Sequence, residues 1–512
     1  MLAFAACGSD APPEPAAAGL LIVSGRNGAD SVLGTTIPDL VVQVRASGGG
    51  LAAGVAVRFE AIRPSPLSLP ILYVCATTKS MCEVSPSSFA FVGTTDSRGR
   101  AAIHVRPRYL AGTGWVRVTV PDLGFADSAR YEIAPGGAAG LTRVVADTVV
   151  SIGGSITLSA RTTDSFGNLR PDTVTLTGAT GVVTVAAGST LVQGTAFGMQ
   201  AVYAQYGTLR DSTLVRVVPP ARLLVWGAIE RVLSFVNTDG SAVRRFLTDV
   251  TGPLGVFPRF SPARGLISLQ RTTVEIGGSS NVFQVVDTLG AVQRELAPVV
   301  GFESILVTRV LADGTALAVA RKTGFVQPGP YAFGTGYSVW RIAADNAITS
   351  LLDLPQLTVF AGVDVLYGSA DISPDGRTLA YTAQPTPSAP TELRVVDIAT
   401  GVTRTIDQRG AFAPRWSPSG SRIAYLTAIV GMSMTFGANV NTIAADGSNQ
   451  TPIGSTLFTA GISWSPDGQY LLGRTNRAVL SILRVADGRA VALSLPGARP
   501  GVYEDYLQPD WR

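Results

Sequence analysis

Apolar and polar residues fall in short runs rich in Val, Thr and Ile, each bounded by Gly, Asp, Asn or Pro, and no long stretch repeats with helical period. That text predicts strands and turns. LVVQVRA and VAVRFEA (residues 40–46 and 55–61) alternate inward and outward side chains around a glycine-rich turn, as sandwich strands do. In the second half one phrase returns six times: PRFSPARGLISL, RVLADGTALAV, DISPDGRTLAY, PRWSPSGSRIAY, ISWSPDGQYLL and a closing QPDWR. Taking Pro262, Ala312, Pro374, Pro418 and Pro466 as equivalent, the residue two before is Phe260, Val310, Ile372, Trp416 or Trp464. The residue five after is Ile267, Leu317, Leu379, Ile423 or Leu471. An apolar strand therefore enters a turn and a second leaves it in constant phase. Proline presets the first corner, Asp bonds its own backbone, and Gly accepts positive φ.

Each repeat then carries further strands ending in a polar hairpin, such as VVDIATGVTRTI or TIAADGSNQTPI. Four strands per repeat at this spacing predict a β-propeller blade. Pro509-Asp510-Trp511 matches Pro414-Arg415-Trp416, so the chain reaches only the first strand of a sixth blade. RLLVWGA and VLSFVNTDGSAVRRFLTD supply three strands at the other end of the region. The expectation is six blades over 221–512, closed by pairing the C-terminal strand with N-terminal strands, which leaves no open ring edge.

Phrase, register and closure resemble the TolB-type propeller repeats of bacterial envelope proteins. The likeness covers a little over half the chain. It departs from the family in the absence of a preceding α/β domain and in the worn turns Ala263-Arg264 and Val310-Leu311-Ala312. The resemblance implies a disc with a central tunnel whose mouth binds peptide or protein, and it does not imply an enzyme. A rigid spacer is the plainer alternative, because fold alone never fixes function.

Residues 19–134 resemble a bacterial Ig-like domain of the invasin/intimin type, on SVLGTTIPDLVVQVRASGGGLAAGVAVRFEAI, FVGTTDSRGRAAIHV and GTGWVRVTVPDLGFADSARYEI. A second sandwich of the same general kind is expected over 137–218, with Asp164-Ser165-Phe166-Gly167-Asn168 as a hairpin. The fold class is thus all-β: two Ig-like β-sandwiches followed by a six-bladed propeller.

Residues 1–18 read as a signal remnant and tether. Phe4-Ala5-Ala6-Cys7-Gly8-Ser9 resembles a bacterial lipoprotein signal with Cys7 as the lipidated residue, followed by the Pro/Ala-rich spacer APPEPAAAG. A disordered tail with a stray cysteine is the other reading. Cys75 and Cys82 then form an even pair. A disulfide closing so short a loop would stabilise by ~2–3 kcal/mol and require an oxidising compartment. Two free thiols remain the alternative, while zinc lacks two further ligands. The net charge of +4 is small for 512 residues, and with no basic stripe or RNA-binding aromatic motif no nucleic-acid partner is expected.

No catalytic, metal or cofactor site is legible. The single histidine, His104, sits on a strand of the first sandwich, and no G-x-S-x-G elbow follows the propeller. Asp313, Asp375 and Asp467 lie in the turn phrase, where Asp satisfies backbone groups, and Asp239, Asp446 and Asp487 read as hairpin turns. Two long loops, 323–337 and 428–440, are apolar or aromatic, and Phe325, Tyr331, Phe333, Tyr337, Met432, Met434 and Phe436 are the candidate binding residues. The expectation is an exported, lipid-anchored envelope protein, in the periplasm or at the outer membrane or cell surface. It would bind a protein or peptide at the propeller mouth, take no cofactor, and touch the membrane through its anchor alone. The sequence leaves its oligomeric state open. Alternatives are a propeller enzyme acting on carbohydrate or lactone, and an adhesin whose Ig-like domains make the contact.

Overall fold

The computed structural model describes residues 18–511 except 66–67, 79–88, 144–147, 179, 228–231, 248–257, 262–264, 276–277, 297–301, 323–335, 355–356, 358–368, 387–388, 429–436, 476–478, 494 and 496–506. The chain divides into two compact units. One comprises Met1–Val144, Ser159–Leu176 and Tyr203–Asp211, and the other Val145–Leu158, Thr177–Val202 and Ser212–Arg512. The second sandwich read from the sequence contributes strands to both.

The first unit holds a two-sheet sandwich. One sheet orders Gly19–Ser24, Leu40–Arg45, Arg100–Pro107 and Leu72–Ala76; the other orders Gly28–Ser31, Phe125–Ala134, Gly112–Val120, Ala56–Ala61 and Ala90–Thr94. Alternation decides which side chains meet. Leu40, Val42 and Val44 from one sheet and Val57, Phe59, Val116, Val118 and Tyr131 from the other share one core. LVVQVR and AVRFEA therefore face each other across the sandwich instead of pairing edge to edge. Burying a side chain such as Phe59 contributes about 1.5–3 kcal/mol. Gly140–Arg143 pairs antiparallel with Ala160–Thr163, and the expected hairpin between 164 and 168 is present, with the Asp164 amide donating to the Asn168 carbonyl at 3.0 Å.

The second unit carries a β-propeller. Its sheets of four antiparallel strands follow one another along the chain. The first orders Leu507–Trp511, Arg222–Gly227, Val232–Asn237 and Arg244–Leu247; in it Leu223 stands opposite Trp511 and Leu224 opposite Asp510. The second starts at Arg259–Ser261, the third at Phe302–Val310 and the fourth at Ala370–Ile372. The fifth, from Ala411–Trp416, and the sixth, from Phe458–Trp464, are joined into one larger sheet by the pair Ala438–Phe458.

Burial falls from the first strand of a sheet to the last. Ala411–Trp416 is buried at every position, whereas Ile348–Leu354 and Thr403–Asp407 are mostly exposed. Inner strands lose their polar alternation because both faces are covered by neighbouring sheets. Each pair of consecutive sheets shares an apolar cluster; Phe235 and Leu224 meet Ile267 and Leu269, for example, and Tyr425 and Trp416 meet Val395 and Ala380. A further cluster unites the first sheet with the sixth, through Leu223, Val225 and Trp511 against Leu472, Ile482 and Val491. Val149, Phe197 and Val218 join that cluster, Phe197 lying with its ring centroid 5.1 Å from that of Tyr470.

Candidate binding site in the propeller channel

The turn phrase is built as its chemistry predicts. In Ser373-Pro374-Asp375-Gly376 the serine hydroxyl donates to Asp375 at 2.5 Å and accepts the Thr378 amide at 2.9 Å. Asp375 also accepts the Arg377 amide at 3.1 Å, and Gly376 takes φ 72°. Ser465-Pro466-Asp467-Gly468 repeats the arrangement, with 2.5 Å from Ser465 to Asp467 and 2.9 Å from the Tyr470 amide to Ser465. Even the worn second repeat, in the third sheet, keeps it in part, Asp313 accepting the Thr315 amide at 2.8 Å. Asp239 and Asp446 close hairpins in the same way, through Ser241 and Ser448. These carboxylates hold turns.

Where the inner strands run into those turns lies a cavity of about 380 Å³, lined from all six sheets. Phe260, Val310, Trp416, Trp464 and Trp511 supply apolar wall, with Pro374, Pro418 and Pro466 at the turns. The residue before each apolar position also lines it: Arg259, Arg309, Asp371, Arg415, Ser463 and Asp510, one per sheet.

These polar residues lock neighbouring sheets together. Asp371 accepts the Trp416 amide at 2.8 Å, and the Trp416 indole donates back to the Asp371 carbonyl at 3.0 Å. The Trp464 indole donates to the Arg415 carbonyl at 2.9 Å and that of Trp511 to the Ser463 carbonyl at 3.1 Å. Asp510 reaches both ways, accepting the Phe260 amide at 2.8 Å and the Ser463 hydroxyl at 2.6 Å. Arg309 lies 3.7 Å from Asp371. Arg415 is 5% exposed and donates to the Pro414 carbonyl at 2.8 Å. Burial pushes its pKa down to about 9; Arg259 and Arg309 add repulsion, and Asp371 and Asp510 offset part of it. At neutral pH it still carries its charge.

The sequence directed attention elsewhere. Phe325, Tyr331, Phe333, Met432, Met434 and Phe436 lie outside the described residues, as do Cys7 and Cys82. Tyr337 is described, and it is not a loop residue. It opens the strand Tyr337–Ile342, is 4% exposed, and packs with Leu317, Val319, Val339 and Leu354. In the ladder it stands opposite Arg321, and its ring is part of the core between two sheets. The strand ends flanking both predicted loops, Lys322 and Tyr337 in one case and Ala428 and Ala438 in the other, lie at the end of their sheets away from the Ser-Pro-Asp-Gly turns. The cavity belongs to the turn end. Its ring of charged residues was missed, although each stands immediately before an apolar position already in register.

Elsewhere, His104 pairs with Asp39 through Nδ1 at 2.5 Å, and Cys75 is buried on the neighbouring strand opposite it. Among the described residues no three His, Cys, Asp or Glu side chains are grouped to hold a metal ion. An oxygen-ligand site in the channel would need three or more converging carboxylate or amide groups; the cavity holds two carboxylates beside three guanidiniums.

No protein-family model matches the chain, and no curated protein does. Solved structures similar to it include TolB from Acinetobacter baumannii, at 14% identity over 73% of this chain and 99% of that one, with a TM-score of 0.43. An oligogalacturonate lyase in complex with manganese shares 12% identity over 72% of this chain and 90% of its own, with a TM-score of 0.36. A puromycin hydrolase shares 18% over 60% and 53%, also at 0.36. All three scores fall below 0.5, so the propeller rests on the strand pairings above and not on these likenesses.

Proposed function

We propose that the chain is an exported envelope protein whose six-bladed propeller, closed by its own C-terminal strand, binds a protein or peptide at the turn end of the channel. The Ig-like sandwiches serve as a stalk, Cys7 as the lipid anchor and Cys75–Cys82 as a disulfide. The observation that carries the binding role is the cavity itself: a concave site with apolar walls and a few convergent charged groups, drawn from every inner strand. Such a pocket on rigid elements is the ordinary form of a recognition site. Two carboxylates held in inter-sheet hydrogen bonds beside three guanidiniums offer poor ligands for a cation, which weighs against a metal-dependent carbohydrate enzyme. Among the described residues no helix is long and apolar enough to cross a membrane, which is compatible with attachment through a lipid.

The test is capture from envelope extract by the full chain and by its Ala312→Trp variant. Ala312 is exposed and lines the cavity, so an indole there blocks the mouth without disturbing the core. Partner capture should be lost in the variant. Capture that persists undiminished would move the contact to the sandwiches, as the adhesin reading requires.

A further inference from the structure

The channel charges do not cancel. Arg259, Arg309 and Arg415 face Asp371 and Asp510, so three positive groups meet two negative ones and leave one positive charge. Neither carboxylate can turn to absorb it. Asp371 is held by the Trp416 amide and lies beside Arg309, and Asp510 accepts the Phe260 and Trp511 amides and the Ser463 hydroxyl. Breaking either set would unlock neighbouring sheets. The walls offer no anion in compensation, being Phe260, Val310, tryptophans and prolines, with the indole N–H groups already donating to backbone carbonyls.

We infer that the channel binds a single carboxylate of an incoming peptide, set against Arg259, Arg309 and Arg415. The inference deepens the proposed peptide-binding role and rests on it. Charge count selects the ligand: one carboxylate neutralises the cavity, whereas a phosphate monoester, at about −2, would leave it negative. Guanidiniums suit a carboxylate by geometry, since their planar donors match its two oxygens. A cavity of about 380 Å³ admits a short peptide end and not a folded domain. The carboxylate can come from a chain terminus or from an Asp or Glu side chain, and the two are separable by probe.

The full chain is titrated calorimetrically with four N-acetylated tripeptides. One is Gly-Gly-Gly with a free C-terminal carboxylate. The other three are C-terminal amides of Gly-Glu-Gly, Gly-Gln-Gly and Gly-phosphoserine-Gly. At least one carboxylate probe should bind about tenfold tighter than the glutamine amide, and which one identifies the source. The phosphopeptide should bind no tighter than that probe. The preference should vanish in Arg415→Met and shrink severalfold in Arg309→Gln. Arg309 is 28% exposed, so its variant reports on charge even if the Arg415 variant does not fold. Carboxylate and amide probes binding within twofold of each other would overturn the inference, as would a phosphopeptide binding tightest or a preference that is undiminished in Arg309→Gln. Partner capture that depends on Ala312, beside tripeptides showing no carboxylate preference, overturns this inference alone and leaves the channel reading standing.

Discussion

Asp164 sits in the hairpin of 164–168, 3% exposed, and accepts hydrogen bonds from the amides of Gly136, Phe166 and Asn168 and from the Asn168 side chain. Burial alone would raise its pKa; the four hydrogen bonds outweigh it and bring the value down to about 2. The unfolded value is about 3.9, so the stabilisation is complete above that pH and is lost as pH falls towards about 2. Asp164→Asn cannot titrate. It should be less stable than the parent at pH 7, and the gap in melting temperature should close between about pH 4 and pH 2. A gap independent of pH would assign the loss to shape and not to charge. The turn itself was legible, because Asp, Gly and Asn at those spacings have local reasons to be there. The bond to Gly136 was not, since no periodicity links positions 28 residues apart. The strand position of Tyr337 was not legible for a related reason: an aromatic residue at a loop's edge reads alike whether the next strand starts before or after it.

At the scale of the element, the turn phrase was the most legible text in the chain. Serine, proline, aspartate and glycine each answer a separate backbone requirement, so the pattern survives even where one letter is lost. Gly376 and Gly468 have near-identical φ, 72° and 69°, but different surroundings. A Cβ on Gly376 would meet Leu311 at 2.9 Å and Leu317 at 3.2 Å, whereas one on Gly468 meets nothing within 4 Å. Gly468→Ala should cost about 1–2 kcal/mol for the left-handed backbone alone, and Gly376→Ala more, by whatever the two leucines fail to yield. Equal losses in urea titrations of the two variants would show that the leucine ends move aside freely. The cavity residues carry no such local signal, because a carboxylate is legible in sequence only where it punctuates a turn. Arg259, Arg309 and Arg415 stand on inner strands, where a charge looks like noise until the strands are seen to converge.

At the scale of the molecule, stability is distributed over clusters that each join two sheets, so no single core holds the propeller. Asp510 is the polar counterpart of those clusters, tying its own strand to the second sheet and the sixth. Asp510→Ala should destabilise the full chain by about 2–4 kcal/mol, because the Phe260 amide and the Ser463 hydroxyl lose a buried acceptor together. Asp487→Ala, which removes ion pairs on an exposed hairpin, should cost under about 1 kcal/mol. Comparable losses in the two variants would reduce Asp510 to an ordinary surface carboxylate. The pairing of the first sheet was legible because Trp511 keeps the phase of Trp416 and Trp464. The division of the strands over 137–218 between two compact units was not, for its cause is packing against partners that a local pattern does not name.

The hydrogen bond from the Phe260 amide to Asp510 spans 250 residues of chain. Contacts so remote form late, after a large loss of loop freedom, and until then Arg222–Gly227 offers a bare hydrogen-bonding edge. During that wait a neighbouring copy's 507–511 segment is chemically indistinguishable from the molecule's own. Renaturation from dilute solution should therefore give the self-paired chain, and renaturation at high concentration should add strand-exchanged dimers in which each Arg222–Gly227 edge is covered by the other copy's 507–511 segment.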